Sequence, residues 1–140
     1  MANMEVIQKS AGVIIIDRKL LVSRNKGKDY FIAPGGKIEH GETAPQALVR
    51  ELFEEQGVRV TEDNLELVGT FHAVAKGRED ENVQLIMNVY VIKHFEGSIA
   101  PSSEIAENRW VTSSDASNIE LGSIFEHDVI PILKQQDLID

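Results

Sequence analysis

Residues 43 to 57 carry helix punctuation at both ends, and this constrains the fold more than any other feature of the chain. Thr43 is followed three residues later by Gln46, the pattern of a capping box in which each side chain satisfies a backbone N–H of the other. Pro45 falls in the first turn, where no helical hydrogen bond is lost. Gly57 stands where a helix closes with a left-handed residue. Thr43 to Gln56 is therefore predicted to be a helix. At about 100° per residue, Glu51, Glu54 and Glu55 share one stripe, and Val49, Leu52 and Phe53 are expected to point the other way, toward a core.

The rest of the chain supplies strands for that helix to pack on. Gly12 to Asp17 is a continuous apolar run with three isoleucines, the pattern of a strand buried on both faces. Asp17-Arg18-Lys19 is a tight polar break before Leu20 to Ser23, which predicts a hairpin. Asn25 to Asp29 reads as a polar loop. Tyr30 to Ala33 reads as a short strand stopped by Pro34-Gly35-Gly36. Leu65 to Val74 and Val83 to His94 alternate as strands, divided by the charged loop Lys76 to Asn82. Asn108 to Thr112 is a further short strand. Phe125 to Gln136 is predicted to be a second helix, with Pro131 confining or kinking its start. Strands and helices interleave, so the class is α/β or α+β with a mixed sheet between helices. With no repeat, low-complexity tract or linker, the 140 residues read as one domain, 1–140.

Charge and cysteine content narrow the chemistry. There is no cysteine, which excludes disulfides, thiolate nucleophiles and cysteine-ligated zinc or iron–sulfur sites. Met1 to Ser10 lacks a basic segment followed by an apolar signal core, and no apolar run approaches the ~18–20 residues of a membrane span. A cytoplasmic location is expected, with no membrane partner. The net charge of −9 repels nucleic acid over most of the surface, so no nucleic-acid partner is expected. A polyphosphate substrate would need a divalent metal and a local basic patch to bridge the two.

The carboxylate stripe is where such a metal would go. Like charges at helical spacing cost roughly 0.2–0.5 kcal/mol per pair. A hard divalent cation with oxygen ligands reverses the sign of that interaction. A solvated acidic face would carry the same residues, so the flanks have to decide. Pro34-Gly35-Gly36 forms a loop whose backbone can approach a ligand closely. Glu42 precedes the helix start, and Arg50 can pair with Glu54 or with Glu42. Gly36, Glu42, Arg50-Glu51-Leu52, Glu54-Glu55 and Gly57-Val58 match every specified position of the Nudix box, G-x5-E-x7-R-E-U-x-E-E-x-G-U, nine positions across 23 residues. The chain thus resembles the Nudix hydrolases. Pro34-Gly35-Gly36-Lys37-Ile38-Glu39 and Gly41-Glu42-Thr43 are similar to the MutT-like branch, and the strand order and the Trp110 region extend the resemblance to the whole domain.

The resemblance implies an α/β/α sandwich with a mixed sheet and a loop–helix–loop box. It implies Mg²⁺ or Mn²⁺ on Glu51, Glu54 and Glu55, with the Gly36 carbonyl a further ligand. It casts Glu42 and Arg50 as stabilisers of the loop–helix arrangement and Gly57 as the helix stop. In the implied reaction a divalent cation neutralises a phosphoanhydride and aligns attacking water with the leaving group, while a carboxylate accepts the proton. That carboxylate is a box glutamate or one from a downstream loop, for which Glu104 and Glu107 are the candidates. Arg24 corresponds to a phosphate-contacting arginine, and Lys26, Lys28 and Lys37 could complete a basic patch. Glu126, beside His127 at the start of the last helix, falls where MutT-like enzymes read a base. Neither Asn nor paired Asp stands there, and Ala33 replaces a bulky residue before Pro34, which counts against oxidised guanine nucleotides. The proline of ADP-ribose-type members is absent at His72-Ala73, and the tyrosine of dinucleotide types is absent between Phe71 and Val89. The expected partner is therefore a nucleotide small molecule, foremost a nucleoside triphosphate, for a monomer or homodimer. The alternatives are a nucleotide sugar, a dinucleotide, a capped RNA end, or a non-catalytic nucleotide sensor.

Overall fold

In the computed structural model, residues 5–74, 81 and 83–140 are described. The expected loop Lys76 to Asn82 lies outside them except for Glu81. The described strands are β1 (Glu5–Val13), β2 (Ile15–Ile16), β3 (Lys19–Asn25), β4 (Gly35–Lys37), β5 (Leu65–Val74), β6 (Val83–Ile92) and β7 (Ile105–Val111). The helices are α1 (Ala44–Gln56), α2 (Ser113–Ala116) and α3 (Ile130–Gln135), the last preceded by a π-helical turn at Phe125–Val129. The protein is mixed α+β. One sheet has the order β4-β1-β6-β5 and contains the parallel pair β1/β6, while the antiparallel sheet β2-β3-β7 lies beside it.

The apolar run is buried on both faces from Gly12 to Ile14, ending in an exposed Ile16 in β2, and its alternation divides the core. Val13, Leu20 and Val22 face a core shared with Phe125, Val129 and Leu133 of the C-terminal helical segment. Ile14 and Leu21 face a second core with Leu48 and Leu52 of α1, against which Trp110 is packed. Each fully buried Leu or Val contributes about 1.5–3 kcal/mol, so helices are held on opposite faces of one layer of strands. The β2/β3 hairpin turns through Asp17 and Arg18 at φ 53° and 62°, the left-handed pair of a tight two-residue turn.

Several expectations shift. β1 begins at Glu5, seven residues before the predicted Gly12, because its backbone pairs with β6 from Glu5↔Val83 onward although its first residues are exposed. Tyr30 to Ala33 forms only isolated bridges, Phe31↔Leu121 and Ile32↔Ser23. Gly35–Lys37, read as a strand stop, instead forms β4 along the edge of β1. Gly35 makes this possible: its φ is 143°, and an added Cβ would collide with the Ser10 carbonyl. The second helix is not uniform. Pro131 has no N–H for residue 127, and the chain answers with the wider π turn just before it. On α1, Leu52 is buried but Val49 is only half-buried and Phe53 is 52% exposed. Phe53 lies about 100° around the helix from Leu52, beyond the buried stripe, where the Arg59 guanidinium covers its ring at 5.5 Å.

Candidate active site

α1 is anchored at both ends. Thr43 Oγ1 accepts from the Gln46 N–H and Gln46 Oε1 accepts from the Thr43 N–H, the expected capping box. Ser10 Oγ of β1 donates to the Ala44 carbonyl at 2.6 Å. At the other end Gly57 takes φ 70° and closes the helix. The last carbonyls, which have no partner within the helix, are met by the loop before β7. The Ser102 hydroxyl donates to the Glu54 carbonyl, the Ser102 N–H to that of Glu55 and the Ala100 N–H to that of Gln56. This docking carries Glu104 into electrostatic range of Glu55.

Arg50 organises the acidic end of the site. Its Nε and Nη2 donate to both oxygens of Glu42 at 2.8 and 3.0 Å, a bidentate fork. Its Nη1 reaches Glu51 at 2.8 Å and Glu54 at 3.3 Å, and Nη2 also donates to the Lys37 carbonyl. Both pairings expected for Arg50 are therefore present. The fork, with the Glu39 N–H donating to its carboxylate, holds Glu42 at about 2, and Arg50 is raised in return. Burial pushes Glu51 upward despite Arg50. Glu55 sits about 60° from Leu52 around the helix and half-buried. Burial raises it to about 7 against the Gly35 N–H, which donates to its Oε1 at 3.0 Å, with Glu51 adding to the rise.

These residues fit a divalent cation. An added Cβ at Gly36 would stand 2.6 Å from the Glu51 carboxyl carbon, so the bare Gly36 backbone lets that carboxylate rest where it does. The donors are hard oxygens, the kind Mg²⁺ and Mn²⁺ take. Four carboxylates share one guanidinium, since Glu39 also reaches Arg50 at 3.7 Å. Among the described residues no three acidic or histidine side chains stand close enough together to clasp an ion as arranged. Glu51 and Glu54 are turned toward Arg50 instead.

Beside Gly35 and Gly36 opens a cleft of about 360 Å³. Its walls are apolar, including Ile7, Ala33, Met87 and Phe125, and among the described residues its charged lining consists of Lys9, Lys28 and Lys37. Lys37, expected as a substrate contact, is among the lining residues. Arg24 does not line the cleft: it donates to Glu107 at 3.0 Å and to the Lys28 carbonyl at 2.9 Å. Glu107 is held below the usual carboxylate range by Arg24 first and by Arg109. Glu126 also lies outside the lining, 3.6 Å from His127; Ser123, Ile124 and Phe125 of the same segment line it instead. Lys26 contributes its backbone, donating to the Glu104 carbonyl.

Three features escaped the sequence reading. Lys9 is a cation in the otherwise apolar row Ile7, Ala11, Val13, and that interruption was the available signal. Asn25, in the cleft lining, has a buried Oδ1 with no hydrogen-bond partner among the described residues. Gln56, fully buried, donates to Ser23 Oγ and Asn108 Oδ1 at 3.0 Å and accepts from Asn108 Nδ2 at 2.6 Å, tying the end of α1 to β3 and β7. Nothing local marks that polar cluster as buried.

Comparison with known proteins gives a consistent picture. The model of the NUDIX domain matches residues 6–131. An uncharacterised Nudix hydrolase, YvcI of Bacillus subtilis, is 27% identical over 91% of this chain and 79% of its own length. A MutT-like protein of Streptomyces ambofaciens is 32% identical over 76% of this chain, which spans 64% of that relative. A structure from work on MutT of Aliivibrio salmonicida and Vibrio cholerae superposes with a TM-score of 0.73 at 25% identity, covering 94% of this chain and 99% of that one.

Proposed function

The chain belongs to the Nudix family, and from that premise we propose that it is a Mg²⁺-dependent pyrophosphohydrolase acting on a nucleoside triphosphate, giving a nucleoside monophosphate and pyrophosphate. The family is one of hydrolases that act on nucleotide-linked substrates and generally use divalent metal ions. The triphosphate, the choice of Mg²⁺ and the residue roles are our reading.

The observation that carries it is the meeting of two opposite fields at Gly35–Gly36: a carboxylate stripe with one arginine on one side, and a lysine-lined cleft on the other. Glu51, Glu54, Glu55 and the Gly36 carbonyl would hold the metal. Once bound, it would neutralise phosphoryl charge and supply Lewis acidity toward the phosphoanhydride. Arg50 and Glu42 keep the loop against α1, and a bound metal would draw Glu51 and Glu54 away from Arg50, leaving its fork on Glu42 in place. Lys37 faces the phosphates from the cleft side. The proton of the attacking water needs an acceptor with an affinity near the working pH. Glu55 would be a metal ligand in the loaded site, so Glu104, in electrostatic range of Glu55 and outside the ligand set, is the acceptor this reading favours. Glu107 is engaged by Arg24 and Arg109, which favours Glu104 over it as the downstream carboxylate. Arg24, occupied in the same pair, orders the loop edge instead of meeting phosphate.

The test is a hydrolysis screen of ribo- and deoxyribonucleoside triphosphates, ADP-ribose and sugar nucleotides with Mg²⁺, with products identified by mass. A triphosphate is expected to give the highest kcat/KM, and excess chelator is expected to abolish turnover. A preference of more than about tenfold for a diphosphate-linked compound would overturn the substrate class. Full turnover in chelator would overturn the metal requirement.

A further inference from the structure

β1 alternates faces, so Ile7, Lys9, Ala11 and Val13 point the same way. Ala11 and Val13 are buried in a core, and Ile7 lines the cleft. Their neighbours on β6 are Leu85, Met87 and Val89, each in register with the corresponding β1 residue. Lys9 therefore occupies a site where every neighbour on β1 and β6 calls for an apolar side chain. On its other side the register partner is Lys37 of β4. Like charges directly opposite on adjacent strands destabilise a sheet, and a half-buried ammonium loses hydration. No carboxylate among the described residues pairs with Lys9; Glu55 and Glu51 act on it only from a distance. Stability alone would not select a lysine here. Both lysines line the cleft at Gly35–Gly36, against the carboxylate stripe, and an anion between them would relieve the repulsion and replace the lost hydration.

We propose that Lys9 and Lys37 form an anion subsite that takes a phosphate of the substrate beyond those met at the carboxylate stripe, and that Lys9 thereby selects triphosphates over diphosphate-linked compounds. This rests on the phosphoanhydride-hydrolase reading above. Lys37 is part of the loop next to the stripe and serves any substrate. Lys9, directly opposite it, is half-buried where Lys37 is exposed, so its charge counts where a further phosphate enters the cleft.

The variants are Lys9→Met, which matches the length of the side chain and the character of Met87, and Lys9→Arg, which keeps the charge. The measurement is the ratio of kcat/KM for the best nucleoside triphosphate to that for ADP-ribose. Lys9→Met is expected to lower the ratio at least about tenfold, chiefly through KM of the triphosphate, with Lys9→Arg retaining most of it. Tm of Lys9→Met is expected to equal or exceed that of the parent, as when a residue kept for function is replaced by one suited to packing. An unchanged ratio overturns the proposal. So does a fall in Tm accompanied by equal losses on both substrates, because Lys9 would then only support the fold or offset Glu55. If the parent protein cleaves no triphosphate, the reading above fails on its own. The subsite is then judged by calorimetry with inorganic triphosphate and pyrophosphate in the presence of Mg²⁺. A parent preference for triphosphate that Lys9→Met loses upholds the subsite, and equal preference in both proteins overturns it.

Discussion

Arg18 and Arg50 are both arginines with several carboxylates in reach, yet they sit in opposite circumstances. Arg18, in the β2/β3 turn, donates to Asp137 and Asp140 and to the Asp137 carbonyl, fastening the last residues of the chain to the hairpin. Its side chain is 44% exposed, and its two acidic partners are more exposed still. Arg50 is 24% exposed and meets Glu42, Glu51, Glu54 and Glu39, with Glu51 only 16% exposed. The first cluster is a surface clasp that water and salt screen well. The second leaves excess negative charge partly out of water, an arrangement that is costly unless another cation arrives. What separates the two is burial and charge balance, which the mere presence of ion pairs does not reveal.

The comparison breaks most visibly at the carboxylates that Arg50 does not fully neutralise. Glu54→Gln and Glu55→Gln keep side-chain size and remove charge, so each is expected to fold and to lose at least about 10²-fold in kcat. Steady-state kinetics beside a melting curve checks this, and a near-parental rate would reduce the stripe to a solvated face.

Removing the arginines themselves sharpens the contrast. Arg50→Ala frees Glu42 and the loop together. Its apparent Mg²⁺ affinity or activity is expected to fall roughly 10- to 100-fold, the range for a residue that holds metal ligands in place. Arg50→Lys is expected to recover little, since an ammonium cannot reproduce the fork on Glu42. Metal titrations of activity would decide, and full function in Arg50→Ala would make it a surface residue like Arg18.

Acidity separates two carboxyls within the same site. Glu55 has its folded value raised to about 7 from the ordinary 4.5. In metal-free protein its contribution to stability is fully present below 4.5 and is lost as pH rises through 7. Glu42, held at about 2, behaves oppositely: its contribution is present above 4.5 and lost as pH falls toward 2. In chelator, the Tm of Glu55→Gln relative to the parent is therefore expected to rise between pH 4.5 and 8, and that of Glu42→Gln to rise as pH falls from 4.5 to 2. Because a cation must displace the Glu55 proton, metal affinity is expected to strengthen as pH rises through 7. Parallel melting curves across both windows would contradict these assignments.

The smallest effect belongs to the clasp. Arg18→Ala is expected to lower Tm slightly, to lose even that difference in high salt, and to leave kcat/KM as it was. A large activity loss would mean that the chain end communicates with α1, which nothing in the contacts of Arg18 supports.

What could be read from the sequence is what short-range rules encode. The capping box at Thr43, the stop at Gly57, the turn at Asp17-Arg18 and the carboxylate stripe each depend on residues within a few positions, whose geometry follows from helix period and backbone sterics. Of the apolar run at Gly12 to Asp17, the part to Ile14 is buried on two faces as its pattern announced, while Ile16 and Asp17 are exposed at the hairpin turn. The tertiary structure alone decided which distant segments meet. Gly35–Lys37 becomes a strand only because the Ser10 backbone is there to pair with it. Arg24 donates to Glu107, 83 residues away in the chain, because β3 and β7 align the two. Gln56 is buried only because Ser23 and Asn108 satisfy its amide. Lys9 faces Lys37 because an edge strand forms beside β1. Each of these depends on register between remote segments. A residue's neighbours in the chain set its local conformation, but its charge and hydrogen bonds are answered by whatever the closed fold puts opposite it.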